Sequence, residues 1–481
     1  MNNLKSNFAY NVILTVSNLL FPIISFPYLS RTLGPECLGK AQFIIIFAQY
    51  FVLLSAFGIP LYGFREVTKV KHDKEELSKL CSELLLINFL FSLLLFAAYT
   101  LIVLSISWFH TDLQLYTAAS LFILMGFTSI DWFFTGVEEF KDIAVRSIAI
   151  KSLSLIALFA LVKSSDDLIF FLLISIFSVL GNNIWNIYQS RRLITFRLKS
   201  IQLRSHLPVL LVFFITSLST SIYTFLDTLL LGLISTNTAV GYYTAATKLN
   251  KIALPLIVSL GIVLTPKITQ SIQNDNRFLK FQGYFDTSFA FINLMAVPIT
   301  IGIATFSKQL LVVYAGEAFI AAVDAMQIMA PLIFFLSFGH ILGLQLLIPS
   351  GNEKLYLVAT IFGLITSLSL NLVLIPSLDE KGAAIATLSA EIVVTSVCYF
   401  YVRKKLQIVF NWRLFGKAVL SCVLFVPISV LSQYFNVDII LSLTIQLATC
   451  ILTYLLIQGM IFKEKLIGEA FRYLKSLTAY A

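Results

Sequence analysis

The sequence predicts an all-α, polytopic membrane protein of about fourteen transmembrane helices, and three observations predict it. Hydrophobic residues make up 58% of the 481 and charged residues only 12%, with a mean hydropathy of +0.89. A soluble domain carries roughly 25% charged residues, so no soluble core accounts for this composition. The apolar runs are each close to the ~20 residues that cross a hydrocarbon layer. The basic residues cluster in alternate loops.

Spans are expected at about 7–29, 41–63, 84–107, 115–136, 143–163, 168–188, 207–233, 242–264, 285–306, 322–347, 355–376, 383–402, 417–435 and 439–462. They are helices because lipid cannot satisfy a strand edge and the runs are too long and uniform for barrel strands. With the N-terminus inside, 27 of the 34 Lys and Arg fall on inner segments, among them Lys141, Arg146 and Lys151. The outer loops hold Arg31, Lys40, Lys163, Lys308 and Lys381, and Lys248 and Lys251 fall within a span. This bias sets the orientation and supports an even span count, with both termini cytoplasmic.

The same pattern excludes several functions. The formal charge of +9 is a topology signal, since no basic stripe with interleaved aromatics lies outside the spans, and no nucleic-acid partner is expected. The first apolar run is longer than a signal h-region and lacks a small-x-small end, so it reads as a retained span. The five cysteines show no metal spacing and the four histidines do not cluster, so no metal, cofactor or disulfide is expected. No Walker motif is present. The longest outer segment, near 307–321, is short for a polymerase or ligase site, and Asp166–Asp167 and Asp379–Glu380 read as caps in turns. The protein reads as a transporter and not as an enzyme.

The chain also repeats itself. Gly-Val-Glu-Glu-Phe at 136–140 and Gly-Asn-Glu-Lys-Leu at 351–355 are 215 apart, and Arg-Arg-Leu at 191–193 and Lys-Lys-Leu at 404–406 are 213 apart. The expected division is a six-helix bundle over 1–204, a second over 205–410, and two appended helices with a tail over 411–481. Transporters are often built from such repeats, with the substrate path between the halves.

Longer motifs carry a resemblance. Phe-Pro-Tyr-Leu-Ser-Arg-Thr-Leu-Gly-Pro-Glu-Cys-Leu-Gly-Lys (26–40), Asp-Trp-Phe-Phe-Thr-Gly-Val-Glu-Glu-Phe (131–140), Gly-Tyr-Tyr-Thr-Ala-Ala-Thr-Lys-Leu (241–249) and Gly-Ala-Ala-Ile-Ala-Thr-Leu-Ser-Ala-Glu (382–391) resemble bacterial polysaccharide repeat-unit flippases. These are the O-antigen-type oligosaccharide-lipid flippases of the multidrug/oligosaccharidyl-lipid/polysaccharide exporter superfamily. The resemblance covers essentially the whole chain. It implies fourteen helices in two bundles around a central cavity in the bacterial inner membrane. It implies movement of undecaprenyl-diphosphate-linked oligosaccharide from the inner to the outer leaflet, beside a polysaccharide polymerase and chain-length proteins. The alternatives are a cation-coupled multidrug exporter of the same superfamily and a membrane polymerase or ligase of lipid-linked sugars.

Charges within spans are the candidate working residues, because each costs about 2.5–3.5 kcal/mol at a helix centre on insertion scales. Lys248 and Lys251 share a face three residues apart and suit a diphosphate; Lys248 otherwise snorkels or pairs with Asp227. Arg31 at the outer mouth binds substrate or anchors the interface. Glu391, near the middle of its span, is a proton or sodium site or a neutral, hydrogen-bonded carboxyl. Asp131 and Asp227 are further coupling-ion candidates, with a solvated cap or an ion pair as the plain alternatives. Asn11, Asn18, Gln42 and Gln49 set amides along the first two spans, facing the bundle interior as sugar ligands or as helix glue.

Overall fold

The computed structural model of the protein describes residues 2–196, 201–272, 278–432, 438–464 and 468. Arg197, Lys199, Arg277, Lys465, Arg472 and Lys475, counted above on inner segments, lie outside the described residues, as do the side chains of Lys5, Asn11 and Lys280. No strand occurs among the described residues. Serine and threonine hydroxyls turn back onto the helix that carries them, as Ser17 Oγ does to the Ile13 carbonyl at 2.8 Å and Thr366 Oγ1 to that of Phe362 at 2.8 Å. These hydroxyls are thereby satisfied without water. The outward surface is apolar, with Leu101 68% and Val373 70% exposed, which fits lipid as its solvent.

By contact the chain groups into two compact units, residues 1–241 and 242–481. The first begins with α1 (Asn2–Ala56), α2 (Ile59–Val70), α3 (Lys74–Ser105), α4 (Leu113–Leu124) and α5 (Asp131–Gly136). It continues through α6 (Phe140–Leu161), α7 (Leu168–Ser190) and α8 (Leu203–Ile234), and ends within α9 (Asn237–Lys251). The second holds α10 (Leu254–Ile272), α11 (Phe278–Ala315), α12 (Val323–Met329), α13 (Leu332–His340) and α14 (Glu353–Leu406). It closes with α15 (Trp412–Ser421), α16 (Phe425–Ser432) and α17 (Ile439–Leu456). α8 packs on α1, α2 and α3, so by contact it belongs to the first unit.

Among the described residues nine helices are long and apolar enough to cross a membrane, or up to eleven if each bent pair is one span. Two of the long helices fold on themselves. Fifty-five residues of α1 in one line would reach roughly 80 Å, more than twice the hydrocarbon thickness. α1 breaks at Gly34, with φ 69° and ψ 176°, a backbone open to glycine at little cost; Pro35 follows. The stretch before the break lies along α6, with Tyr28 Oη donating to the Val162 carbonyl at 2.6 Å. The stretch after it runs against α3 in the opposite direction, Phe47 meeting Tyr99 at 5.4 Å and Phe57 meeting Phe91 at 4.3 Å. α14 breaks at Asp379, with φ 48°. A Cβ on Gly382 would sit 2.6 Å from the carbonyl oxygen of Leu374, eight positions back. A straight helix would separate those levels by roughly 12 Å, so the chain doubles back there.

The repeat is visible in local structure. Ser107–Asp112 is a 3-10 helix followed by α4, a break at Gly126–Thr128, α5, and a turn with Glu138 at φ 65°. In the second unit Glu317–Ala322 is a 3-10 helix followed by α12, a break, α13, and a turn with Gly351 at φ 73°. Of the aspartates expected to cap the short turns, Asp167 does so, whereas Asp379 stands at the break of α14. Asp167 closes a capping box with Ser164, and the backbone N–H groups of Lys163 and Ser164 hold its carboxyl below the usual value.

One end of the first unit is tied by a compact core. Ile59, Tyr62, Leu84, Trp132, Phe133 and Phe134 pack together. Beside them His206 Nε2 lies 2.9 Å from Glu83 Oε2 and His206 Nδ1 lies 2.7 Å from Tyr62 Oη. This chain fixes the start of α8 to α2 and α3.

Candidate functional site

Each unit holds a cavity, and the two are built from different chemistry. The first unit's cavity, of about 320 Å³, lies between both stretches of α1 and the helices α4, α6 and α7. Gln42, Gln49, Lys151, Ser154 and Ser178 give it a polar wall, and Phe21, Phe122 and Phe171 give it aromatic faces. Lys151 Nζ donates to Asn18 Oδ1 and stands 6.0 Å from the centre of the Phe21 ring.

At the α5–α6 end of the same unit sits a buried polar cluster. The Arg146 side chain is 2% exposed. Its Nη2 donates to Asp131 Oδ1 at 2.8 Å, its Nε to Asn182 Oδ1 at 3.3 Å, and its Nη1 to Asn186 Oδ1. Asn186 Nδ2 donates to the same Asp131 oxygen at 2.7 Å. The guanidinium also lies 5.7 Å from the centre of the Phe134 ring. A planar fork with three oxygen partners offsets the cost of taking this charge out of water. Asp131 itself is 57% exposed, so the pair joins a buried cation to an accessible carboxylate.

This corrects the sequence reading. Arg146 and Lys151 are not loop cations that merely set topology; both lie inside α6. Lys151 stands roughly 12 Å along the helix from residue 143, at 1.5 Å per residue. The signal that could have found them was present, since both fall within the span drawn at 143–163. The four-residue spacing of Asn182 and Asn186 puts both amides on one helix face. Asp131 is neither a free cap nor an isolated carboxylate, because Arg146 holds it.

The second unit's cavity, of about 500 Å³, is lined by apolar side chains of α9, α11, α12, α16 and α17, with Leu249, Ile252, Pro298, Phe306 and Tyr454 among them. Tyr454 Oη donates to the Leu294 carbonyl at 2.9 Å, which fastens α17 to α11. Lys248 and Lys251 lie in the last turn of α9, where the helix carbonyl ends favour cations. The expected single span over 242–264 is interrupted, because α9 stops at Lys251 and α10 starts at Leu254. Each lysine immediately precedes a cavity-lining residue, Leu249 or Ile252. Lys248 therefore stands about one 100° step around the helix from the cavity-lining Leu249.

The remaining candidates are placed as follows. Arg31 is exposed three residues before the α1 break, and its Nη1 donates to the Pro27 carbonyl at 2.9 Å. Asp227 on α8 is buried and lies near Tyr50 on α1. Glu391 on α14 is 8% exposed and lies near Tyr356 and Cys398. The structure brings Asp131 together with Arg146, a residue the sequence reading had set aside, and groups Lys248 with Lys251.

A multi-pass helical chain whose halves repeat one order of broken helices, each half with an internal cavity, has the build of a membrane transporter. The solved structure of the lipid II flippase MurJ, in an inward closed conformation, matches this fold with a TM-score of 0.78 at 15% identity, over 95% of this chain and 99% of that one. The sequence signature of the polysaccharide biosynthesis protein family matches residues 4–272, and the chain belongs to that family. It is 25% identical over 403 residues to a candidate O-antigen transporter of Shigella dysenteriae, covering 81% of this chain and 98% of that protein. It is 24% identical over 428 residues to a candidate O-antigen transporter of Escherichia coli K12, covering 83% and 97%.

Proposed function

We propose that this protein is a flippase for lipid-linked saccharides, carrying undecaprenyl-diphosphate-linked oligosaccharide repeat units from the inner to the outer leaflet of the bacterial cytoplasmic membrane. The observation that carries the reading is the apolar cavity of the second unit, whose lining residue Leu249 shares the last turns of α9 with Lys248 and Lys251. An apolar cavity and two lysines carried by one helix suit an amphiphile with a long hydrocarbon chain and an anionic head. A lysine is a mobile point charge, suited to a phosphate that must later be released. The family and the names of its O-antigen relatives support the same substrate class.

In this reading α1 and α14 count as two spans each and α8 as one, which makes fourteen. Two bundles move in an alternating-access cycle, the first extended beyond residue 204 by α8, which packs on α1, α2 and α3; 411–481 is appended, and both termini face the cytoplasm. Glu391, Asp131 and Asp227 are the carboxyls through which a cation gradient would act. A polymerase and chain-length proteins consume the product outside.

Complementation tests the proposal. In a strain lacking its own repeat-unit flippase, the wild-type chain restores surface polysaccharide. Lys248→Ala with Lys251→Ala lowers display by roughly tenfold, the scale of one lost charge-assisted contact, at unchanged membrane level, and Lys248→Arg keeps part of it. Wild-type display from the double variant overturns the role of the lysines. Drug tolerance without polysaccharide display overturns the reading in favour of a multidrug exporter.

A further inference from the structure

We propose that the Glu83–His206–Tyr62 chain is a latch that parts and re-forms in each transport cycle, freeing the start of α8 from α2 and α3. The inference rests on the flippase reading and adds a moving contact to it. The sequence repeat sets α8 at the head of the second bundle, whereas its contacts set it on the first, against α1, α2 and α3. A helix claimed by both calls for a tie that can be released.

The tie is polar where its surroundings are apolar. The Glu83 and His206 side chains are 5% and 12% exposed. Glu83 is engaged through both oxygens, by His206 Nε2 at 2.9 Å and by the Gln202 backbone N–H at 2.8 Å. His206 Nδ1 lies 2.7 Å from Tyr62 Oη. The Arg65 guanidinium, paired with Glu66 at 2.6 Å, stands 5.5 Å from the centre of the Tyr62 ring. Leu203, Val209 and Phe213 of α8 lie on the apolar core that holds Tyr62, Cys81 and Leu84. Apolar side chains at 83 and 206 would suit that core at least as well, since a buried ion pair adds little net stability. A directional chain that breaks and re-forms suits a contact with two states.

The backbone around the tie is able to yield. Pro208, two residues after His206, lies inside α8. It cannot donate to the Arg204 carbonyl, so the first turn is held to the rest of the helix by one bond fewer. At Gly58, with φ 77°, an added Cβ would sit 2.5 Å from the Phe214 backbone nitrogen. α8 therefore passes this corner backbone to backbone, with no side chain of residue 58 to interlock. Cys81, 1% exposed in the core beneath the contact, is a native reporter of its opening.

Two measurements test the latch. Full-length wild type, His206→Ala and His206→Gln in membrane vesicles are treated with N-ethylmaleimide, and modification is read at each native cysteine by peptide mass spectrometry. Cys81 should react roughly tenfold faster in His206→Ala. The gain should be smaller in His206→Gln, whose amide can still donate to Glu83. Cys398 and Cys450, buried in the second unit, should keep their wild-type rates. An unchanged rate at Cys81, or the same acceleration at all three, overturns the latch. In the second measurement Tyr62→Cys and His206→Cys are combined, with the native cysteines replaced by serine, and bridged by a bis-methanethiosulfonate. The bridged protein should lose most new surface display and regain it on reduction. Display that the bridge leaves untouched makes the chain a fixed staple and overturns the proposal. If the reduced pair gives no display, the Cys81 rates decide alone. No display from the wild type sinks the flippase reading, and the thiol measurement, which uses no substrate, still decides the latch.

Discussion

α6 in the first unit and the first stretch of α14 in the second occupy matching places in the repeat, yet they present opposite chemistry to their surroundings. At an offset of 213, Arg146 corresponds to Ala359, Lys151 to Leu364 and Asn186 to Tyr399. At these three positions the first unit sets two cations and an amide, and the second sets alanine, leucine and tyrosine. The reverse difference holds on the third helix of each half. α3 turns Leu94 and Leu101 outward, 61% and 68% exposed. α11 is instead covered by the appended α16 and α17, in a cluster with Leu294, Phe306, Phe425 and Tyr454. The second unit's cavity exists because two helices without a counterpart in the first half pack over α11. A repeat fixes where helices run, and its two copies can diverge in what they enclose.

The largest expected effect tests the apolar side of this contrast. Gly302 lines the second cavity, and a Cβ there would meet nothing within 4 Å. Gly302→Phe should fill the cavity with little backbone strain and abolish surface polysaccharide while the protein still accumulates in the membrane. Normal display would remove the cavity from the transport path and leave the contrast a packing difference only.

Next comes the charged cluster of the first unit, where the two halves of one ion pair should behave unequally. Asp131→Asn leaves the buried Arg146 guanidinium without its counter-charge, at a cost of about 3–5 kcal/mol. Arg146→Gln leaves a carboxylate that is 57% exposed and that water can solvate, so the loss should be smaller. Thermal inactivation of the two variants in the same detergent checks this order. Equal losses would mean that Asp131 is as enclosed as its partner.

A smaller change is expected at Glu391, an acid 8% exposed on α14. Glu391→Gln keeps the size and loses the ability to change charge. Vesicles carrying it should transport at a reduced rate that an imposed proton or sodium gradient no longer alters. A gradient response equal to wild type would shift coupling to the acids of the first unit, Asp131 or Asp227.

The smallest effect lies in the turn after α5, where the Lys71 ammonium donates to Glu138 at 2.7 Å and holds that carboxyl below its usual value. A depressed carboxyl stabilises the fold above its unfolded pKa of about 4.3 and loses that contribution as pH falls through the folded value. Glu138→Gln should therefore trail wild type slightly near pH 6 and converge with it toward pH 3. The pair is exposed, so the gap should be near the limit of a thermal melt. A gap that widens on acidification would reverse the assignment.

The sequence alone determined that this chain is a bundle of membrane helices. Segment length, charge depletion and loop polarity are one-dimensional quantities set by the bilayer, and they need no partner to be read. It pointed to a repeat as well, through the motifs at 136–140 and 351–355. It also flagged Lys248, Lys251, Asp227 and Glu391 by their cost in lipid. Tertiary structure decided which charges have company. Arg146 and Lys151 looked like topology signals because a lysine or arginine near a helix end can snorkel to water. Only the packing of α1, α5 and α7 against α6 turns them inward, to Asp131 and two asparagines in one case and to a polar cavity in the other. Folding also decided the cavities, because an enclosed volume belongs to several helices at once, and no single stretch of chain records which of its faces another will cover.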